Sequence, residues 1–268
     1  MPPRDTPGRL IDTIEGLQSM VEEVTDRDQK PLIFIDLEGV NLSRDGTIAI
    51  MQVLIPPRPM VYLLDVHVLQ HDAFETPTGK GTTWKEVLES DSYAKIFFDV
   101  RNDSDALFTH YGVKLRGVID LQLLEFATRP GYNRPRFVKG LSKCILESGI
   151  LSWQEARIWE QTKEDGRRQF APEVGGSYDV FLRRPLSSAM QKYCAEDVLQ
   201  LPPLLTYYAR KINRHLAGQV SAATVARVVL SQSPTYNPHG REKAIGPTIR
   251  WQRYLAHLNH PCWYTDSR

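Results

Sequence analysis

The sequence predicts an α/β fold with a mixed central sheet, antiparallel in its first part and parallel in its second, flanked by helices. Three apolar, β-branched runs come first: LIFIDL (32–37), TIAIMQVLI (47–55) and MVYLLDV (60–66). Their connectors, NLSRDG and PPRP, are too short for a crossover helix, so the runs form an antiparallel meander. Beyond residue 84 the pattern changes to strand-like runs alternating with helical ones across short joints, which calls for parallel pairing covered by helices. With 268 residues, 41% of them hydrophobic, the chain can bury a full core, and a disordered tail protein or a stapled mini-protein is excluded.

The elements follow in order. Residues 10–24 place Ile11, Ile14, Leu17, Met20, Val21 and Val24 at helical spacing. After the meander, a helix near Trp84 to Ser90 leads into KIFFDV (95–100), a helix from about Asp103 to Tyr111, the short run GVID (117–120) and a helix through Leu121 to Ala127. A segment rich in Arg, Lys, Gly and Pro runs from Arg129 to Arg184, with helical stretches at 140–148 and 152–162. Pro185 opens a long helical region whose periodic positions include Met190, Tyr193, Cys194, Val198 and Leu201. Pro202 and Pro203 are expected to bend or interrupt it before it resumes towards Arg214. A further apolar helix covers about 221–230, and 231–248 reads as an extended tail with turn signals. The expected division is an N-terminal helix (1–29), a main domain (30–215) and a C-terminal helix with a basic tail (216–268).

The longest uncharged stretch near the N-terminus, Gly46 to Pro57, is about half of the roughly 20 apolar residues that span a bilayer. The opening MPPRDTPGRL has no apolar run, so no signal peptide, membrane span or membrane partner is expected and the setting is intracellular, cytoplasmic or nuclear. Cys144, Cys194 and Cys262 are scattered and odd in number, which fits neither a disulfide framework nor a Cys-based zinc site. The formal net charge of +1 hides an asymmetry: residues 201–268 hold nine Lys/Arg against two acids, leaving 24 basic and 30 acidic residues in the first 200. An acidic front and a basic end suit metal in one part and phosphate in the other, whereas on unrelated faces they are only solvated charge.

Asp36 and Glu38 end the first apolar run. Two apart on a strand, they point to the same face at its C-terminal edge, where open sheets place ligands. Acid-x-acid is common, and Asp26 and Asp28 form another such pair; but LIFI marks a central strand, where two carboxylates are costly unless paired or coordinated. Asp103 lies at the start of a helix after KIFFDV, where a dipole-favoured acid is ordinary, and Asp99 and Asp105 compete for any special role. Tyr193 and Asp197, four apart, share one helix face, a pairing that means little alone.

Together, Asp36-x-Glu38, Asp103 and Tyr193-x-x-x-Asp197, in that order on strand, helix and late helix, resemble the three motifs of the DEDDy family of 3'-5' exonucleases over about residues 30–210. IDLEGVNLSRDGTIAIMQV is similar to the first motif and following strand of ribonuclease D-like domains, especially the Egalitarian type. Asp103-Ser-Asp-Ala-Leu107 followed by Tyr111-Gly112 resembles the second motif, which selects Asp103 over Asp99 and Asp105; Arg184-Pro185-Leu186 resembles the lead-in to the third. Phe98 stands where many such domains carry a histidine that is not a metal ligand.

The resemblance implies a ribonuclease H-like sheet of five to six strands and a metal-dependent 3'-5' exonuclease acting on single-stranded nucleic acid with a free 3' end, RNA favoured over DNA, to give nucleoside 5'-monophosphates. Asp36, Glu38, Asp103 and Asp197 suit two hard divalent cations, Mg²⁺ or Mn²⁺. By resemblance Asp36 bridges them, Glu38 and Asp197 complete the site of the nucleophilic water, and Asp103 helps hold the second ion. Tyr193, with an ordinary pKa near 10, is an orienting hydroxyl rather than a free base. Arg134, Arg136, Lys139, Arg167, Arg168, Arg183 and Arg184 offer phosphate contacts, and Tyr132, Phe137 or Phe170 could stack on bases. The C-terminal region offers a surface for a protein partner. The rival reading is a catalytically weak or inactive RNA-binding adaptor of the same fold. The stretch PTGKGTT (77–83) lacks the glycine and hydroxyl of a phosphate loop; His257, His260 and Cys262 lack a fourth ligand for zinc; and Cys194 reads as a packing residue.

Overall fold

The computed structural model describes residues 8–129 and 136–247. The first half comprises β1 (Arg9–Ile11), α1 (Ile14–Thr25), β2 (Leu32–Glu38), β3 (Ile50–Leu54), β4 (Val61–Asp65), the short α2 (Val66–Leu69) and α3 (Asp72–Glu75), and α4 (Trp84–Glu89). The second comprises β5 (Ala94–Phe97), α5 (Arg101–Tyr111), β6 (Val118–Asp120), α6 (Leu121–Thr128), α7 (Leu141–Ser148), α8 (Trp153–Phe170), α9 (Ser188–Ala209) and α10 (Arg214–Ser231). The sheet has six strands in the order β1-β4-β3-β2-β5-β6. As expected, β2, β3 and β4 form an antiparallel meander and β5 and β6 continue it in parallel.

The sheet separates two cores. On one face Ile33, Ile35 and Leu37 of β2 pack with α1, α4 and α5; on the other Phe34 packs with α6, α7 and the buried row of α9. Residues two apart on a strand share a face. Asp36 and Glu38 therefore extend the Phe34 row and look towards α9. Among the described residues no helix is long and apolar enough to cross a membrane.

Several boundaries differ from expectation; the last α-helix, α10, begins at Arg214 and not near 221, because the Asn213 side chain caps it at the Leu216 N–H. Leu10 and Ile11, periodic with the N-terminal helix, instead form β1, parallel to β4 with Leu10 opposite Leu63; the helix starts at Ile14, where the Thr13 side chain accepts from the Gly16 N–H. β5 stops at Phe97, because Asp99 turns the chain with φ of 63°. α8 runs on to Phe170, well past residue 162. α9 continues through Pro202 and Pro203 without interruption: the two missing N–H donors cost helix bonds, but Val198, Leu201, Leu204 and Leu205 around them are buried in the core, which holds the helix in place.

Candidate active site

The carboxylates meet at the C-terminal edge of β2. The Ser187 side chain caps α9 at the Met190 N–H, and a turn later Tyr193 and Asp197 face the row formed by Asp36 and Glu38. Carboxylate oxygens of Asp36, Glu38 and Asp197 all lie within 4.8 Å of one another. Asp103 is not part of that triplet. It sits in the first turn of α5, 6% exposed, near enough to feel the charges of Asp36 and Glu38.

The turn that brings Asp103 there is built by Asp120 at the end of β6. Its carboxylate accepts from the Asp99 N–H at 3.0 Å, the Val100 N–H at 3.4 Å and the Gln122 N–H at 3.0 Å. One buried acid thus fixes both the β5–α5 turn and the start of α6. The neighbouring acids have other partners. Asp99 holds Arg101 in a two-pronged ion pair, and Asp105 accepts from the backbone N–H of Arg44 at 2.8 Å and from its Nε at 2.7 Å.

Crowding and enclosure dominate the electrostatics. Burial, and then the charge of Asp197, push the Asp36 carboxyl up to about 7 against the pull of Lys163; burial and then Asp36 raise Glu38 well above the carboxylate range, and Asp103 likewise. Beside Glu38, Tyr193 is pushed above its ordinary value by burial and by the charges of Glu38, Asp197 and Asp36, so its hydroxyl stays protonated at neutral pH. A buried, all-oxygen donor set of crowded carboxylates fits hard divalent cations.

A pH dependence follows. Without cations the fold retains protons that the unfolded chain releases near pH 4, so this part of its stability is present below about pH 4 and is lost as pH rises through the folded value of about 7 for Asp36. Cations need the ionised form, so their binding strengthens over the same window. Melting curves at pH 5.5, 7 and 8 should show a Mn²⁺-induced stabilisation that grows with pH; an equal shift at all three would contradict this.

One residue of the site has no counterpart in the sequence reading. Lys163 of α8 places Nζ 2.6 Å from Oδ2 of Asp197 and 3.4 Å from the centre of the Tyr193 ring. It arrives there because α8 runs against α9 at Gly166, where an added Cβ would lie 2.2 Å from Cδ2 of Tyr193. The available signal was that glycine: inside a helix of good formers it costs about 1 kcal/mol and marks a close approach.

The candidate substrate contacts are dispersed. Arg134 and Tyr132 lie outside the described residues, as do His257, His260 and Cys262. Arg136 is exposed. Lys139 pairs with Glu125 at 3.2 Å and with Glu147 at 2.5 Å. Arg168 pairs with Glu164 at the surface. Arg167, paired with Glu173, lines a groove of about 400 Å³ with Trp159, Lys163, Phe170 and Tyr193, beside the carboxylates. Arg184 is held by both oxygens of the fully buried Asp65 and by the Phe181 carbonyl. Phe137 is 59% exposed, whereas Phe170 packs its ring 5.1 Å from that of Tyr193. Cys194 is buried in the core. Residues 77–83 form a small turn closed by a Pro77–Thr83 bridge, and Thr83 caps α4.

Residues 9–213 match the family described as 3'-5' exonuclease. Among curated proteins, the piRNA biogenesis protein EXD1 of Bombyx mori is 31% identical over 146 residues, 54% of this chain and 43% of that protein. The Mus musculus protein of the same name is 27% identical over 179 residues, 66% of this chain and 29% of that protein. The chain thus spans less than half the length of these relatives. Among solved structures, Trypanosoma brucei RNase D in complex with GMP superposes with a TM-score of 0.70 at 25% identity, covering 90% of this chain and 69% of that one. Escherichia coli RNase D, an exoribonuclease, shares the fold with a TM-score of 0.56 at 18% identity over 84% of this chain and 51% of its own.

Proposed function

The chain belongs to the 3'-5' exonuclease family, with a DEDD-type, RNase D-like domain, and on that basis we propose that it removes nucleotides from the 3' end of single-stranded RNA as nucleoside 5'-monophosphates. The observation that carries the proposal is the convergence of carboxylate oxygens of Asp36, Glu38 and Asp197 within 4.8 Å, with Tyr193 and Asp103 close by. The carboxylates would hold two divalent cations, Mg²⁺ or Mn²⁺, which when bound supply a nucleophile at neutral pH and neutralise charge developing at phosphorus. Glu38 and Asp197 would hold the attacking water from the side of α9, while the Tyr193 hydroxyl, a donor, orients it. Arg167 would offer charge to the arriving phosphate in the groove beside Tyr193. We propose residues 30–215 as the core of the catalytic domain, with β1 from the 1–29 flank and α10 from the 216–268 flank packed into it. RNA is favoured over DNA because two similar proteins, piRNA biogenesis protein EXD1 and RNase D, are named for RNA.

The test is a pair of matched RNA and DNA oligonucleotides labelled at the 5' end, incubated with Mg²⁺, Mn²⁺ or a chelator. Cation-dependent shortening from the 3' end, faster on RNA, with release of 5'-monophosphates, is expected. A protein that binds the strand yet shortens neither with either cation would be the adaptor instead.

A further inference from the structure

Lys163 occupies a position that a catalytic account of this site leaves unexplained. Its ammonium donates to an Asp197 oxygen at 2.6 Å, and an oxygen of the same carboxylate belongs to the triplet within 4.8 Å. It is therefore a positive charge already resident at the edge of the cluster. Both partners are largely enclosed, the side chains being 17% and 15% exposed. The geometry is also enforced: the ammonium rests on the Tyr193 ring, and α8 is held against that ring by Gly166. In water such a pair would contribute little, but away from solvent an ammonium bonded to a carboxylate is a strong counter-charge.

A divalent cation and an ammonium cannot share this edge comfortably. They compete for the charge of the same Asp197 carboxylate and repel each other at short range in a poorly screened site. An exit is open to Lys163, because the groove lined by Trp159, Arg167 and Phe170 begins at its own side chain.

We propose that Lys163 is an internal counter-ion that holds Asp197 in the cation-free protein, gives way when divalent ions load, and thereby sets how tightly they bind. The inference rests on the cation-dependent reading above. Displaced into the groove, the Lys163 ammonium faces the place where a phosphate of the strand would arrive. A bound strand then supplies the partner that Lys163 loses, and strand and cations favour each other's binding, as reciprocal coupling requires. Lys163 is in this account a positioning residue.

The experiment is calorimetric titration of the full chain with Mn²⁺ alone, comparing wild type with Lys163→Met, Lys163→Gln, Lys163→Arg and Asp36→Asn, with melting curves of each before Mn²⁺ is added. Lys163→Met and Lys163→Gln should bind Mn²⁺ about tenfold more tightly than wild type, equivalent to about 1.4 kcal/mol, and should melt lower when cation-free, since the carboxylates lose their counter-charge. Lys163→Arg should stay near wild type. A lysine that merely braced α8 would weaken Mn²⁺ binding when removed, so equal or weaker binding by both neutral variants, in protein that binds normally as wild type, overturns this inference alone. Absence of Mn²⁺ binding from wild type and neutral variants alike overturns the cation site itself. The Gln variant keeps a polar head, so misfolding of the Met variant would not decide the outcome.

Discussion

Asp36→Asn should lower 3'-end hydrolysis by about 10³-fold or more while strand binding survives and the cation-free protein melts no lower than wild type. The substitution keeps the shape of the side chain and removes one charge from the centre of the triplet. The two halves of the prediction come from the same cause. Burial and the neighbouring Asp197 charge push the Asp36 carboxyl up to about 7, so the fold already disfavours a charge there, and an uncharged amide relieves that strain. Cation binding makes the opposite demand, because it requires the ionised carboxylate. Function and stability therefore pull this residue in different directions, as at sites where a tuned environment serves chemistry. Hydrolysis rates, strand affinity and melting temperature measured on one preparation check all three parts. Turnover at the wild-type rate by the Asn variant would refute the catalytic assignment, and a much lower melting temperature would refute the electrostatic one.

What could be read in the sequence was what chain-local periodicity encodes. The strand period of two put Asp36 and Glu38 on one face, and the apolar LIFI run made two acids there conspicuous. The helical period put Tyr193 and Asp197 together in the same way. The structure brings these four side chains to one place because β2 and α9 pack face to face, with Phe34, Met190, Cys194 and Val198 in a common core. What periodicity could not encode is which separate helix would reach the cluster. Lys163 lies in an Arg- and Lys-rich segment where no spacing ties it to the motifs, and only the approach of α8 to α9 at Gly166 selects it from its neighbours. β1 was hidden for a related reason. Leu10 and Ile11 run directly into a helical apolar pattern, and the strand that claims them, β4, is distant in sequence. Arg184 shows the converse: an arginine beside a motif looks available for phosphate, yet here a buried aspartate from β4 engages both prongs of its guanidinium.

Arg227→Met should destabilise the protein by about 3 to 5 kcal/mol, which for a chain of this size lowers the melting temperature by roughly 6 to 20 °C. The family match ends at residue 213, and Arg227 lies beyond it on α10. Its guanidinium nevertheless reaches into the domain, with Nη1 2.7 Å from Oδ2 of Asp120 and 3.6 Å from Oδ1 of Asp99. Asp120 is fully buried, and its two oxygens also hold the N–H groups that shape the β5–α5 turn and the start of α6. Removing the arginine leaves that carboxylate charged, enclosed and without its ion-pair partner, which is the costly way to break a buried pair. The turn it loosens precedes Asp103 by only a few residues, so hydrolysis should fall together with stability. The double variant Arg227→Met, Asp120→Asn removes the orphaned charge while keeping an acceptor oxygen, and should recover part of the lost melting temperature. If the arginine were merely a surface residue folded over the domain, the single variant would melt within a degree or two of wild type and the double variant would be the worse of the pair. The predicted order, with the single variant lowest, makes α10 a structural part of the wall that carries Asp103.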